Sequence, residues 1–168
     1  GAEQPEIFKQ SAGMRTTMWL SFNSETMSDL ELTDYADRYL TDTFSTVDGV
    51  GRVRLGGDFN VIPDDIDCYD PAGWAGDALT RPESRSAFRS LLHKGYADAL
   101  RSLNPTGVFY SYWDYQAGAW QRDHGVRIDH LLLSPEALDR LEDVGIDRPP
   151  RGLEKPSDHT PIWCQLRA

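Results

Sequence analysis

Apolar residues recur at three- and four-residue steps through Leu32, Tyr35, Ala36, Tyr39, Leu40, Phe44 and Val47, the spacing of one helical face. Ser28 with Glu31 makes a capping-box pattern ahead of that run, and Asp48-Gly49 closes it. Met18-Trp19-Leu20-Ser21-Phe22 reads as a short strand before the helix. Val50 to Leu55 alternates after it, with Val53 and Leu55 on one side and Arg52 and Arg54 on the other. Together these predict a β-α-β unit over residues 18–56, preceded by a flexible arm over residues 1–17, where no period is visible.

The pattern changes beyond Leu55. Residues 64–80 are rich in Asp, Gly and Pro and predict a long loop. A helix is expected next, with Pro82 in its first turn, Phe88, Leu91 and Leu92 on its buried side and Gly95 at its end. Phe109 to Tyr115 predicts a strand of aromatics, and Arg127 to Leu133 a strand buried on both faces. Pro135 to Leu141 predicts a short helix. Pro161 to Leu166 predicts a closing strand, with Ile162 and either Cys164 or Trp163 inward. Strands and helices mix without strict alternation, which favours an α+β class or a layered sandwich.

Composition narrows this picture. The 168 residues are 39% hydrophobic and 26% charged, globular values that suit one domain with a sizeable core. No apolar run approaches the roughly 18 residues of a membrane span, and no basic-then-apolar leader pattern is visible. Cys68 and Cys164 do not make a disulfide framework, and the expectation is free thiols in a cytoplasmic protein. The net charge of −10 argues against a broad basic surface for non-specific nucleic-acid binding. It does not exclude a hydrolase that uses a divalent cation to offset its acids.

Candidate chemistry gathers in Gly57-Asp58-Phe59-Asn60, Arg127-Ile128-Asp129-His130 and Ser157-Asp158-His159. Asp58 and Asn60 are two apart at a strand end, so both side chains leave the same face. A carboxylate beside a carboxamide can orient water and a phosphate oxygen. Asp129 can accept from one nitrogen of His159 and leave the other to face a substrate. Asp158 points elsewhere and can reach a hard cation, for which Mg2+ fits better than zinc. Each cluster also has a plain structural reading: a turn at Asp58, a satisfied buried acid at Asp129, a capped loop at Ser157-Asp158-His159. The aromatics Tyr110, Tyr112, Trp113, Tyr115 and Trp120 suit a core or a stacking platform. His93 and His124 are expected on the surface. His130 follows Asp129 and points to the opposite face, outside the site.

In this order the clusters resemble the exodeoxyribonuclease III family, in the endonuclease/exonuclease/phosphatase superfamily. The carriers are Gly57-Asp58-Phe59-Asn60-Val61-Ile62-Pro63, Asp67-Cys68-Tyr69-Asp70-Pro71, Arg81-Pro82-Glu83-Ser84-Arg85, Trp113-Asp114-Tyr115-Gln116, Arg127-Ile128-Asp129-His130 and Ser157-Asp158-His159-Thr160-Pro161. The resemblance covers residues 57–168. It implies part of a four-layer α/β-sandwich and a DNA-repair hydrolase using Mg2+ or Mn2+. The implied substrate is double-stranded DNA with abasic sites or 3′ ends. It gives Asp58 the attacking water, Asn60 the scissile phosphate, Asp129 the orientation of His159, and His159 a phosphate oxygen. Asp58, Asn60 and Asp158 are the implied metal-site residues, and Tyr112, Trp113 and Val126 the implied pocket for a base-free sugar. No membrane or protein partner is implied.

The family also carries an Asn, a metal-binding Glu and a Tyr upstream, in motifs not found before Asp58. Residues 18–57 instead resemble a porter subdomain of resistance–nodulation–division efflux pumps, through Met18-Trp19-Leu20, Ser28-Asp29-Leu30-Glu31-Leu32 and Asp48-Gly49-Val50-Gly51. The expectation is a fusion at Gly56-Gly57: a pump-like β-α-β segment joined to the C-terminal half of a nuclease whose activity is impaired. The alternative is a catalytically inert chimera or a binding module.

Overall fold

A computed structural model describes residues 54–167, with Thr26 and Tyr35 ahead of them. The expected arm, the strand at residues 18–22 and Val50 to Val53 lie outside the described residues. Of the expected helix at residues 28–47, Tyr35 is described, and it is helical and exposed.

The core is organised by one strand, β3 (Asp129–Leu133). β1 (Arg54–Asp58) pairs with it antiparallel on one side, and the short β2 (Ala97–Asp98) pairs on the other. Side chains alternate across β3 as the pleat requires. Leu132 goes to one face, against Phe59, Val61, Phe88 and Leu91. Leu133 and Leu131 go into a second cluster with Ala99, Ala137, Val144 and Cys164. The first cluster is covered by helix α1 (Pro82–His93), which buries Phe88 and Leu91 as its periodicity requires. The second is covered by a two-stranded sheet of β4 (Leu141–Ile146) and β5 (Ile162–Leu166). Strands and helices are mixed, as the α+β class expects. On β1, Leu55 packs inward and Arg54 stays exposed, so the charge opposite Leu55 remains in water.

Three expected elements differ. The helix from Pro135 stops at Leu138 (α4, with α2 at Ala99–Leu103 and α3 at Ala119–Arg122 before it), and Leu141 opens strand β4. A register shift between Leu141 and Asp143 lets Leu141 and Val144 both face the core, so the strand carries a helix-like three-residue step. Phe109 to Tyr115 is no strand. It makes isolated bridges at Tyr112, to Val126 and to His159, while Tyr110 and Trp113 turn into a separate cluster with Ala119. The strand expected from Arg127 begins at Asp129. Arg127 is 1% exposed, yet it is charged. Its guanidinium pairs with Asp67 at 2.7 Å and Asp98 at 2.8 Å, which fastens the 64–80 loop to the sheet. That loop also holds two short 3-10 turns, Asp65–Asp67 and Ala78–Thr80. On β5, Cys164 packs inward and Trp163 is exposed.

Candidate active site

The β1–β3 register sets Asp58 directly opposite Asp129, at the ends of both strands. Gly57 precedes Asp58 with a φ of +144°, a conformation that side chains rarely adopt. Past Asp58 the chain turns. The Phe59 amide donates to the Ile128 carbonyl at 3.0 Å, and the Phe59 ring is buried. The Asn60 amide donates to Asp58 Oδ1 at 2.8 Å, and Asn60 sits at a φ of +48°, a left-handed value that Asn tolerates better than most residues. Asp58 and Asn60 therefore flank an inward Phe and stay partly open to solvent.

His159 arrives from the far end of the chain. The Trp113 amide donates to the Asp158 carbonyl at 2.9 Å, the His159 amide to Ser157 Oγ at 3.1 Å, and the Thr160 amide to the Ser111 carbonyl at 2.8 Å. These bonds fix the turn on both sides of His159. Its Nδ1 lies 2.9 Å from Asp129 Oδ2, and its Nε2 lies 3.9 Å from Asp58 Oδ2. The structure thus brings together Asp58, Asp129 and His159, which are far apart in sequence, with Asn60 bonded to Asp58 through its backbone amide. Burial alone would lower the His159 pKa, but its bond to Asp129 and the charges of Asp129, Asp58 and Asp158 raise it above the ordinary value.

Ser111 is a site residue that the sequence did not single out. It is fully buried, donates from Oγ to Asp129 Oδ2 at 2.7 Å, and accepts from the Ile128 and Asp129 amides at 3.2 and 3.1 Å. Asp129 is therefore oriented from two sides. The only sequence signal was a small hydroxyl inside an aromatic run, which is too common to read.

The expected sugar pocket needs correction. Trp113 is fully buried, with its ring edge-on to Tyr110 and Trp120 and its indole N–H on Asp123. Gly125 lies so close that a Cβ there would come within 2.6 Å of the Trp113 indole nitrogen. Val126 is 1% exposed and belongs to a core cluster with Ile62, Cys68 and Ile128. Neither offers surface to a substrate. Tyr112 is half-buried, and its ring meets the His159 ring at 5.0 Å. Val126 serves it indirectly, exchanging two 3.0 Å backbone bonds with Tyr112. The aromatic run, expected as a strand suiting a core or a stacking platform, sends its members in different directions.

The donors around His159 are carboxylates and a carboxamide, hard oxygen ligands that suit Mg2+ or Mn2+ rather than a thiolate-seeking metal. Among the described residues no group of three or more His, Cys, Asp or Glu converges as a chelating set. The fit is to a cation that takes one or two carboxylates and completes its shell with water and substrate oxygens, as Mg2+ does. Among the described residues no helix is long and apolar enough to cross a membrane.

Comparison with known proteins gives the family. Residues 24–159 match the endonuclease/exonuclease/phosphatase family. The match begins inside the segment read as pump-like and extends past Gly56-Gly57. Exodeoxyribonuclease III of Haemophilus influenzae is 37% identical over 122 residues, which is 68% of this chain and 46% of that protein. The 3′ phosphatase NExo from Neisseria, solved bound to a product DNA hairpin, superposes with a TM-score of 0.74 at 37% identity, over 83% of this chain and 52% of that one. An AP endonuclease from Archaeoglobus fulgidus superposes with a TM-score of 0.73 at 32% identity, over 83% and 53%. The chain spans about half the length of these relatives. The site geometry, the sandwich of layers and the span of the match lead to one conclusion: the chain belongs to the endonuclease/exonuclease/phosphatase family.

Proposed function

We propose that this chain carries the phosphodiester-hydrolysing half of a DNA-repair nuclease, acting at abasic sites and 3′ ends of double-stranded DNA. The observation that carries the reading is His159 held between two carboxylates, Nδ1 at 2.9 Å from Asp129 and Nε2 at 3.9 Å from Asp58. Asp129 accepts from Nδ1–H, which leaves Nε2–H to donate to a non-bridging phosphate oxygen. Asp58, beside Nε2, orients the attacking water and receives its proton. Asn60 steadies the phosphate through its carboxamide. Water adds to phosphorus as the bridging P–O3′ bond breaks, the departing 3′ oxygen takes a proton from solvent, and the charge that builds on the phosphate meets the Nε2–H of His159. A divalent cation, Mg2+ or Mn2+, held by oxygens of Asp58, Asn60 and Asp158, would supply further positive charge there. Tyr112, beside His159, is the surface on which a base-free sugar would rest.

This assignment keeps the division at Gly56-Gly57, with a pump-like segment over residues 18–56 and a nuclease half over residues 57–168. The order of motifs from Gly57 onward supports that boundary, and the family match itself spans residues 24–159. The test of function is cleavage of an abasic-site duplex with Mg2+ by the wild-type chain and by Asp58→Asn. Cleavage by the wild type and loss of at least a hundredfold in the variant are expected. Equal rates would remove Asp58 from the chemistry.

A further inference from the structure

The turn that carries Asp58 and Asn60 is gripped from behind. Its Ile62 carbonyl accepts from Arg85 Nε at 2.9 Å and its Pro63 carbonyl from Arg89 at 3.3 Å, both on α1. The Val61 carbonyl, next to Asn60, meets Nε2 of His130 at 3.0 Å. His130 is 1% exposed and lies across β3 from the site. Its ring packs against Phe59 at 5.6 Å and Phe88 at 4.7 Å.

The chemistry of its neighbours fixes how this imidazole is protonated. Nδ1 lies 3.0 Å from an Arg127 guanidinium nitrogen. Arginine has only donors, so Nδ1 must accept. Nε2 therefore bears the hydrogen and donates to Val61. Arg127 cannot turn away. Its Nε and Nη2 reach the two oxygens of Asp67 at 2.7 and 3.1 Å, and its Nη1 reaches Asp98 at 2.8 Å. Asp67 accepts from Arg101 as well. A buried neutral ring in this position agrees with a His130 pKa pushed down to about 4 by burial and the Arg127 charge.

Consecutive residues of β3 thus serve the two halves of the site from opposite faces. Asp129 holds His159 on the open face, and His130 holds the Asp58–Asn60 turn on the buried one. We propose that His130 is a positioning residue for Asn60 and Asp58, acting through the Val61 carbonyl and aligned by Arg127. The proposal rests on the reading of these residues as a hydrolytic site. Asn60 depends on such support, because its left-handed backbone persists only where the surroundings hold it.

The test compares His130→Leu, which keeps an apolar side chain of similar bulk but no hydrogen bonds, with His130→Gln, which keeps one acceptor and one donor. Two quantities are read in the full chain, at a temperature well below each variant's melting midpoint. The first is the single-turnover cleavage rate at saturating abasic-site duplex with Mg2+, together with the apparent Kd. The second, independent of activity, is hydrogen exchange at the Asn60 amide by NMR. Expected for Leu are a rate about tenfold to a hundredfold lower, a Kd within threefold, and Asn60 exchange at least tenfold faster. Gln should recover both to within threefold. A merely structural His130 would lower the melting midpoint in Leu and leave rate and exchange unchanged, and either unchanged quantity overturns the proposal. A wild type that cleaves nothing overturns the hydrolytic reading instead, and Asn60 exchange then decides the positioning role alone.

Discussion

His159 collects its charge from its neighbours, and that has a measurable consequence. Its pKa is raised despite burial, because Asp129 bonds Nδ1 and Asp58 and Asp158 add negative potential. In an NMR titration it should leave its protonated state above the ordinary 6.5. Asp129→Asn should bring that midpoint down, and an unchanged midpoint would remove Asp129 as the cause. The sign for stability follows by linkage. A raised histidine favours the fold fully below the unfolded value of 6.5, and the contribution fades as pH rises through the higher folded value. His130 works the other way. Its folded pKa of about 4 lies below 6.5, so the unfolded chain binds the extra proton, and stability is lost as pH falls from 6.5 toward 4. That loss is worth about 3 kcal/mol. The pH slope of unfolding free energy in that window should flatten in His130→Gln; an equal slope would mean that His130 does not drive it. Asp58, Asn60, Asp129 and His159 were legible because polar residues abut buried strand ends in a recognisable order. Ser111 was not, since one hydroxyl among aromatics carries no period or pairing signal. His130 was expected on the opposite face from Asp129, but its grip on Val61 joins residues 69 apart and has no local sequence signal.

At the scale of elements, periodicity worked where a segment had one buried face. The helix from Pro82 was legible because Phe88, Leu91 and Leu92 repeat on a helical stripe. It failed where local geometry broke the period. The bulge in β4 gave a strand the step of a helix, and the aromatic run from Phe109 splits between a core cluster and the His159 bridge. Arg127 broke the rule in another way, as a charge in what reads as an apolar strand. Its two carboxylate partners lie 60 and 29 residues away, so nothing local announces them. The element-scale prediction concerns this tie. Arg127→Ala leaves Asp98 buried without its cation and Asp67 with Arg101 alone, and should cost about 3–5 kcal/mol in urea unfolding. A loss below about 1 kcal/mol would mean that water replaces the guanidinium and that the loop is not held by it.

At the scale of the whole molecule, the proposed nuclease would bring a chain of net charge −10 to an anionic substrate. On the proposed reading, a cation held by the oxygen donors beside His159 would offset that charge locally, without a broad basic surface. Fold class and family were both legible in the order of motifs from Gly57 onward, because that order survives differences in loop length. The upstream fusion reading rested on a short pattern, and the family match reaching back to residue 24 runs through it. The central claim is that two arms, the Asp58–Asn60 turn and the Asp129–His159 pair, form one reacting centre. Its most direct measurement is a double-mutant cycle on single-turnover cleavage of an abasic-site duplex with Mg2+, using Asp58→Asn, His159→Gln and both together. Residues that act as a unit are strongly non-additive. Expected is a loss of at least a hundredfold in each single variant and little further loss in the double. Single variants that cleave at the wild-type rate, or losses that multiply fully in the double, would contradict it.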